Sequence, residues 1–386
     1  MIDQRNKSGV WRLLLLAMGA MAAALVLAAC SDDVGGGNDG QEATTAEAEG
    51  EATGQLNVSN WPFYIDKKTV PEFEKASGLK VDYNEDVNDN TEFFGKVQPL
   101  LEQGESGGRD MMVVTSYMAK KMYDLGYLQN FDKDALGPAF ENLKPALESP
   151  GIDPDREYSL PWQSGMTGLV VNSSKAPDVK AIDDLFDPKY KGKVTMLSEM
   201  RDTVPLVLKG MGIPPEEATE EDWMEAIDKV RKAAESGQIR KFTGNDYTKD
   251  LANGDVDAVI GWSGDAVQLQ ADDPNIQFVM PEEGCMLWSD EMVIPVGAPN
   301  PTAAYEFMNY VYEPENQAQI ADWNFYVVPV NDVQPILEEE GSDAAESELV
   351  FPSDEFTENC STQDEPPGGQ EVIQRVEEEW QSVITG

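Results

Sequence analysis

Past residue 55 the chain alternates short apolar runs with longer amphipathic ones, and that alternation leaves few folds open. LNVS (56–59), VPEFEKASG (70–78), KVDY (80–83), FFGKVQPLLEQG (93–104), DMMVV (110–114) and MAKKMYDLGYL (118–128) read in turn as strand, helix, strand, helix, strand, helix. Strands separated by whole helices do not close as hairpins; they pair in parallel, with the helices covering the sheet. A second series follows: KVTML (193–197), a helix with VPLVLKGMG (204–212), the helix EEDWMEAIDKVRKAAESG (220–237), the stretch KDLANGD (249–255) and the strand DAVIGW (257–262). At 386 residues both series have chain enough for a core of their own. Two α/β units are expected, without an internal repeat. The extended runs YSLPWQSGMTGLVVN (158–172) and MLWSDEMVIPVG (286–297) are suited to crossing from one unit to the other and back.

Charge narrows the partners. With 28 Lys+Arg against 72 Asp+Glu the net charge is −44, a field that repels nucleic acid and anionic lipid and attracts cations. Most of that excess reads as a solvated surface of the kind suited to high salt. The chain has no histidine, which removes Ser-His and Cys-His nucleophiles and every histidine metal site. Its cysteines, at 30, 285 and 360, have no metal-ligand spacing. No cofactor or metal is expected, and the chain does not read as an enzyme.

The N-terminus sets the compartment. Arg5, Lys7 and Arg12 precede the uncharged run Leu13 to Ala29, which ends in LAAC. A basic flank, an apolar run of 17 residues and small residues before a cut site form a secretory signal (1–29), and the run is at the short edge for a transmembrane helix. Leu27-Ala28-Ala29-Cys30 resembles the bacterial lipobox, so Cys30 is expected to carry lipid. The segment from 31 to 54 holds seven acids and no Lys or Arg. With Cys30 it reads as a lipidated acidic tether (30–54), self-repelling and flexible.

Parallel α/β sheets bind ligands beyond the carboxyl ends of their strands. Trp61, Phe63 and Tyr64 follow LNVS; Ser116 and Tyr117 follow MMVV; Glu199 and Asp202 follow VTML; Trp262 and Asp265 follow AVIG. Trp288 and Asp290 sit two apart on an extended run and so share a face. Each has a bland alternative: acids favour helix N-termini, and a lone Trp is more often core than ligand wall. Their convergence at equivalent strand ends in both units points to a cleft. Aromatic faces with carboxylates are the chemistry of organic cations.

These residues carry a resemblance. NWPFY, VVTSYMAKKM, YSLPWQSGMTG, LSEMRDTV, IGWSGDA, EEGCMLWSDEMVIP and NFYVVPVN stand in the order found in the spermidine/putrescine substrate-binding proteins of bacterial ABC importers, from about Leu56 to Asn331. The resemblance implies a type II periplasmic-binding-protein fold: two lobes, each a mainly parallel sheet flanked by helices, joined by hinge strands. Lobe 1 would comprise 55–162 and 289–335, lobe 2 163–288, and 336–386 would pack on the lobes. It further implies that Trp61, Tyr64, Ser116, Tyr117, Glu199, Asp202, Trp262, Asp265, Trp288, Asp290 and Tyr326 line a polyamine site. Phe63 stands where the family often has an acid, which would leave that end of the site less charged. The tail after Asn331 diverges, and the glutamine that some relatives contribute has no placement in it.

The implied protein is an extracytoplasmic, lipid-anchored monomer that delivers a polyamine to ABC permease subunits and touches no nucleic acid. The alternative is a protein of the same superfamily for another cationic or small polar ligand. An amino-acid ligand would want an arginine for its carboxylate, and Arg201 is the one candidate nearby. A glycosidase with paired carboxylates and a surface adhesin are weaker rivals. Export to an oxidising compartment favours a Cys285–Cys360 disulfide, which would pin the divergent tail near Trp288; two buried thiols are the alternative.

Overall fold

The computed structural model of the protein describes residues 43–363 and 365–386. The signal sequence, Cys30 and the first part of the acidic segment lie outside the described residues. The strands are β1 (Thr45–Ala46), β2 (Gln55–Asn60), β3 (Lys80–Glu85), β4 (Met111–Thr115), β5 (Asn130–Phe131), β6 (Leu160–Asn172), β7 (Val194–Leu197), β8 (Ile239–Thr243), β9 (Ala258–Trp262), β10 (Ile276–Val279), β11 (Met286–Val293) and β12 (Ser361–Thr362).

One sheet runs through the body in the order β3-β2-β4-β11-β6-β9-β7-β8, with β10 on β6 and β12 on β11. Its two ends are parallel: β2 pairs β3 and β4 in parallel, and β7 pairs β8 and β9 in parallel. Helices cover the faces, which is why MMVVT, VTML and AVIGW are buried at every position. The two extended runs form the seam. β6 pairs antiparallel with β11 over its first part and with β9 from Thr167 to Val171, while β11 also pairs antiparallel with β4 from Asp290 to Val293. Each parallel end is thus built on one α/β series, and the crossing strands join them into the two-lobed type II architecture.

The acidic segment is shorter as a tether than its composition suggests. β1 pairs in parallel with β5, Ala46 is buried, and the Glu49 N–H donates to Thr302 Oγ1 at 2.9 Å. A small side chain is enough here because strand pairing uses the backbone. At the other terminus the helix Gln370–Ile384 lies on the helix Glu220–Glu235, fixed by buried Trp380 and by Arg375 on Glu220 at 2.8 Å.

Candidate functional site

The parallel strands of both ends finish at the seam, and the residues just past them wall one pocket. β2 leads into Trp61, Pro62 and Tyr64; β4 ends in Thr115; β7 is followed by Glu199 and Asp202; β9 ends in Trp262. β11 lays Trp288 and Asp290 along the same wall. Asn90, Asn245, Tyr326 and Gln363 complete the lining.

Two glycines make room for the aromatic walls. Gly165 stands opposite Trp288 in the β6–β11 register, and a Cβ there would lie 2.4 Å from the indole. At Gly264 a Cβ would lie 2.4 Å from the Asn324 carbonyl and 2.5 Å from the Tyr326 ring. The rings then pack on one another: Trp61 meets Trp262 edge to face at 5.7 Å, and Tyr64 meets Tyr326 at 4.9 Å.

Three carboxyls share the pocket. Asp290 stands opposite Thr115 across β4–β11 and accepts its hydroxyl at 2.7 Å; Asn90 Nδ2 in turn donates to that hydroxyl at 2.8 Å. Asp202 accepts from Thr167 Oγ1 and Gln363 Nε2, each at 2.6 Å, and from Trp262 Nε1 at 3.3 Å. Glu199 bridges the two ends of the sheet, accepting the Asn90 backbone N–H at 2.5 Å and the Tyr117 hydroxyl at 2.7 Å. Asn90 opens the helix Asn90–Leu101, whose positive N-terminus favours a carboxylate.

Four expected residues lie outside the lining. Ser116 Oγ sits 2.9 Å from Glu291 Oε1 and 3.0 Å from the Ser289 carbonyl, because one step past Thr115 the chain faces away from the pocket. Tyr117 stands behind Glu199. Phe63, in the left-handed region at φ 60° and 42% exposed, turns outward to a surface groove with Trp323 and Phe325. Asp265 falls in the first turn of the helix Ser263–Asp272 and is fully engaged behind the wall. It accepts from Tyr326 at 2.9 Å, Tyr247 at 2.8 Å and Asn245 at 3.1 Å.

The family model of bacterial extracellular solute-binding proteins matches residues 68–346. The chain belongs to this family. It is 31% identical over 310 residues to the putrescine-binding periplasmic protein PotF of Escherichia coli strain K12, covering 74% of this chain and 80% of that one. It is 27% identical over 314 residues to the spermidine/putrescine-binding periplasmic protein of the same organism, covering 80% and 86%. Among solved structures, a putative spermidine/putrescine ABC transporter from Listeria monocytogenes superposes with a TM-score of 0.74 at 26% identity, covering 85% of this chain and 98% of that one.

In this solute-binding protein the pocket acids stand without cations. Among the described residues, no Lys or Arg lines the pocket and none of Glu199, Asp202, Asp265 and Asp290 forms an ion pair. Burial pushes Asp290 up to about 7 against the pull of the Thr115 hydrogen bond, and pushes Asp202 and Asp265 up to about 6. Glu199 is raised by burial and then by the charge of Asp89. Arg201 is turned away: its guanidinium lies 4.1 Å from the Tyr117 ring centre and pairs with Glu365 and with Glu377 at 2.9 Å. Asn90, Asn245 and Gln363 are lining residues that reading the sequence did not single out. The Trp61 and Trp288 indole nitrogens, Asn245 Oδ1 and Gln363 Oε1 are buried there without a hydrogen-bond partner.

Proposed function

We propose that this protein binds a linear polyamine of the putrescine or spermidine class between its lobes, outside the cytoplasm, and hands it to the permease of an ABC importer. One observation carries the reading: buried carboxyls of Glu199, Asp202 and Asp290 share a pocket with Trp61, Trp262 and Trp288 and with no basic side chain. Alkyl segments stack on flat aromatic walls, and ammonium groups supply the charge that Asp202 and Asp290 lack internally. The amide oxygens of Gln363 and Asn245 add acceptors suited to ammonium donors. An anionic or amino-acid ligand would need a guanidinium facing it, and Arg201 faces the tail. The relatives named above, called putrescine- and spermidine-binding, support the same class.

In this reading 55–162 and 289–335 form one lobe and 163–288 the other. Asp265 acts through Tyr326 and Asn245, Tyr117 acts through Glu199, and Cys30 is acylated and holds the protein at the outer face of the membrane. Calorimetry and thermal shift with putrescine, spermidine, spermine, agmatine, arginine, glutamate and glycine betaine test it. Putrescine or spermidine should raise the melting temperature most, because a ligand bound only to the folded form stabilises it. A protein stabilised by glutamate or betaine and by no polyamine overturns the reading. Mass spectrometry of the membrane-bound protein should find residues 1–29 removed and Cys30 acylated.

A further inference from the structure

Cys285 and Cys360 are bonded across a separation of 75 residues. We propose that this disulfide is a clamp on the binding site: by holding Gln363 in the pocket it sets the affinity for the bound cation, a role that rests on the polyamine reading above. The geometry is direct. Cys285 opens onto β11, three residues before Trp288, and Cys360 opens onto β12, three before Gln363. β12 pairs in parallel with β11 at Met286↔Ser361 and Leu287↔Thr362. The Ser361 N–H donates to the Cys285 carbonyl at 2.9 Å and the Gln363 N–H to the Leu287 carbonyl at 3.1 Å. That register delivers Gln363 beside Trp288, its Nε2 on Asp202 and its Oε1 buried without a hydrogen-bond partner.

Apolar burial does little to hold this stretch in place. Between Val350 and Val376, Pro366 is the one buried residue among those described. The non-covalent ties beside the disulfide include polar and backbone contacts, such as Lys209 Nζ on the Asn359 carbonyl at 2.8 Å and the ion pair of Glu365 with Arg201. A two-residue strand without an apolar anchor does not fix its own register. The covalent bond therefore pre-organises Gln363, and pre-organisation appears in affinity.

The test uses the full chain, with putrescine and spermidine as titrants in calorimetry. Four proteins are compared: the parent, Cys285→Ser with Cys360→Ser, Gln363→Ala, and the three changes combined. The double cysteine variant and Gln363→Ala should each bind about tenfold or more weakly, the scale of one hydrogen bond to a charged group. The combined variant should bind no more than about twofold weaker than either, because both changes remove one interaction. Reduction of the folded parent with dithiothreitol forms two protein thiols and the cyclic disulfide of the reagent. It should reproduce the loss, and reoxidation should reverse it, which decides the matter if the cysteine variant does not fold. Parent-like affinity after loss of the disulfide, or losses that multiply in the combined variant, would overturn the proposal and leave the bond a stability staple. A parent that binds neither titrant overturns instead the polyamine reading.

Discussion

Replacing Asp290 by Asn should make the ligand-free protein more stable and the binding protein worse. A folded-state value of about 7 against an ordinary 3.8 means that ionising Asp290 costs about 4 kcal/mol more in the folded chain than in the unfolded one. Between those two values the native state holds a proton that the unfolded chain has released, so stability rises as pH falls through this window. That is the reverse of a salt-bridged carboxylate. At pH 8 the full cost is present, and Asn, which has no charge to desolvate and still accepts from Thr115, removes it. At about 2.1 cal/mol/K per residue over Glu42–Gly386, 4 kcal/mol corresponds to about 5 °C in melting temperature. Scanning calorimetry without ligand should find Asp290→Asn melting higher than the parent at pH 8, with the gap largely closed at pH 4.5. Putrescine affinity at pH 8 should fall by about 3 kcal/mol or more, because one member of a desolvated charge pair is gone. A variant that melts below the parent at pH 8, with a gap unchanged by acid, would refute the claim that Asp290 is a buried carboxylate held without an internal cation.

Polyamine binding should release protons near pH 6.5 and tighten from pH 5.5 to 7.5, because the cation favours the ionised forms of Asp290 and Asp202; calorimetry in buffers of differing ionisation enthalpy reads this, and zero release contradicts it. Trp262→Ala removes a wall and a donor to Asp202 and should weaken binding by about 2 kcal/mol or more; unchanged affinity would rule out the indole as a wall. Gly165→Ala places a Cβ 2.4 Å from the Trp288 ring and should lower both melting temperature and affinity, whereas the same change at the open Gly137 should leave affinity alone.

The fold was legible where local pattern decides it. Buried parallel strands are continuous apolar runs, so MMVV, VTML and AVIG announce themselves; IRKFT, which became β8, carries two exposed basic residues and hides its pairing with β7. Strand order was not legible, because the pairing of β6 with β11 joins residues more than a hundred positions apart. Within the site, Trp288 and Asp290 were readable from their spacing of two, which on a strand means one face. Ser116 and Thr115 show the limit of the same rule: a strand end names the neighbourhood, and the register opposite Asp290 chooses Thr115. Asp265 needed the helix start at Ser263, which turns it behind Tyr326. Gln363 lies in a divergent tail, and the cysteine pair was the one signal able to bring it to Trp288.

The strongest physical argument for a cationic guest comes from two consecutive residues. Asp290 and Glu291 are both buried, on opposite faces of β11, with a register irregularity between them. Glu291 has an internal cation: Arg156, itself 3% exposed, lies 2.9 Å away and also donates to the Leu147 and Ser159 carbonyls. Such a pair offsets the desolvation of both charges. Asp290 accepts the Thr115 hydroxyl and, among the described residues, meets no ammonium or guanidinium. The chain supplies an arginine to one of these carboxylates and walls the next with aromatic rings, which in the reading proposed above separates a structural charge from a binding charge. The cost of about 4 kcal/mol at Asp290 falls away on protonation or, in the polyamine reading proposed above, when a cation enters the pocket, so the residue that weakens the ligand-free fold would couple the fold to its ligand.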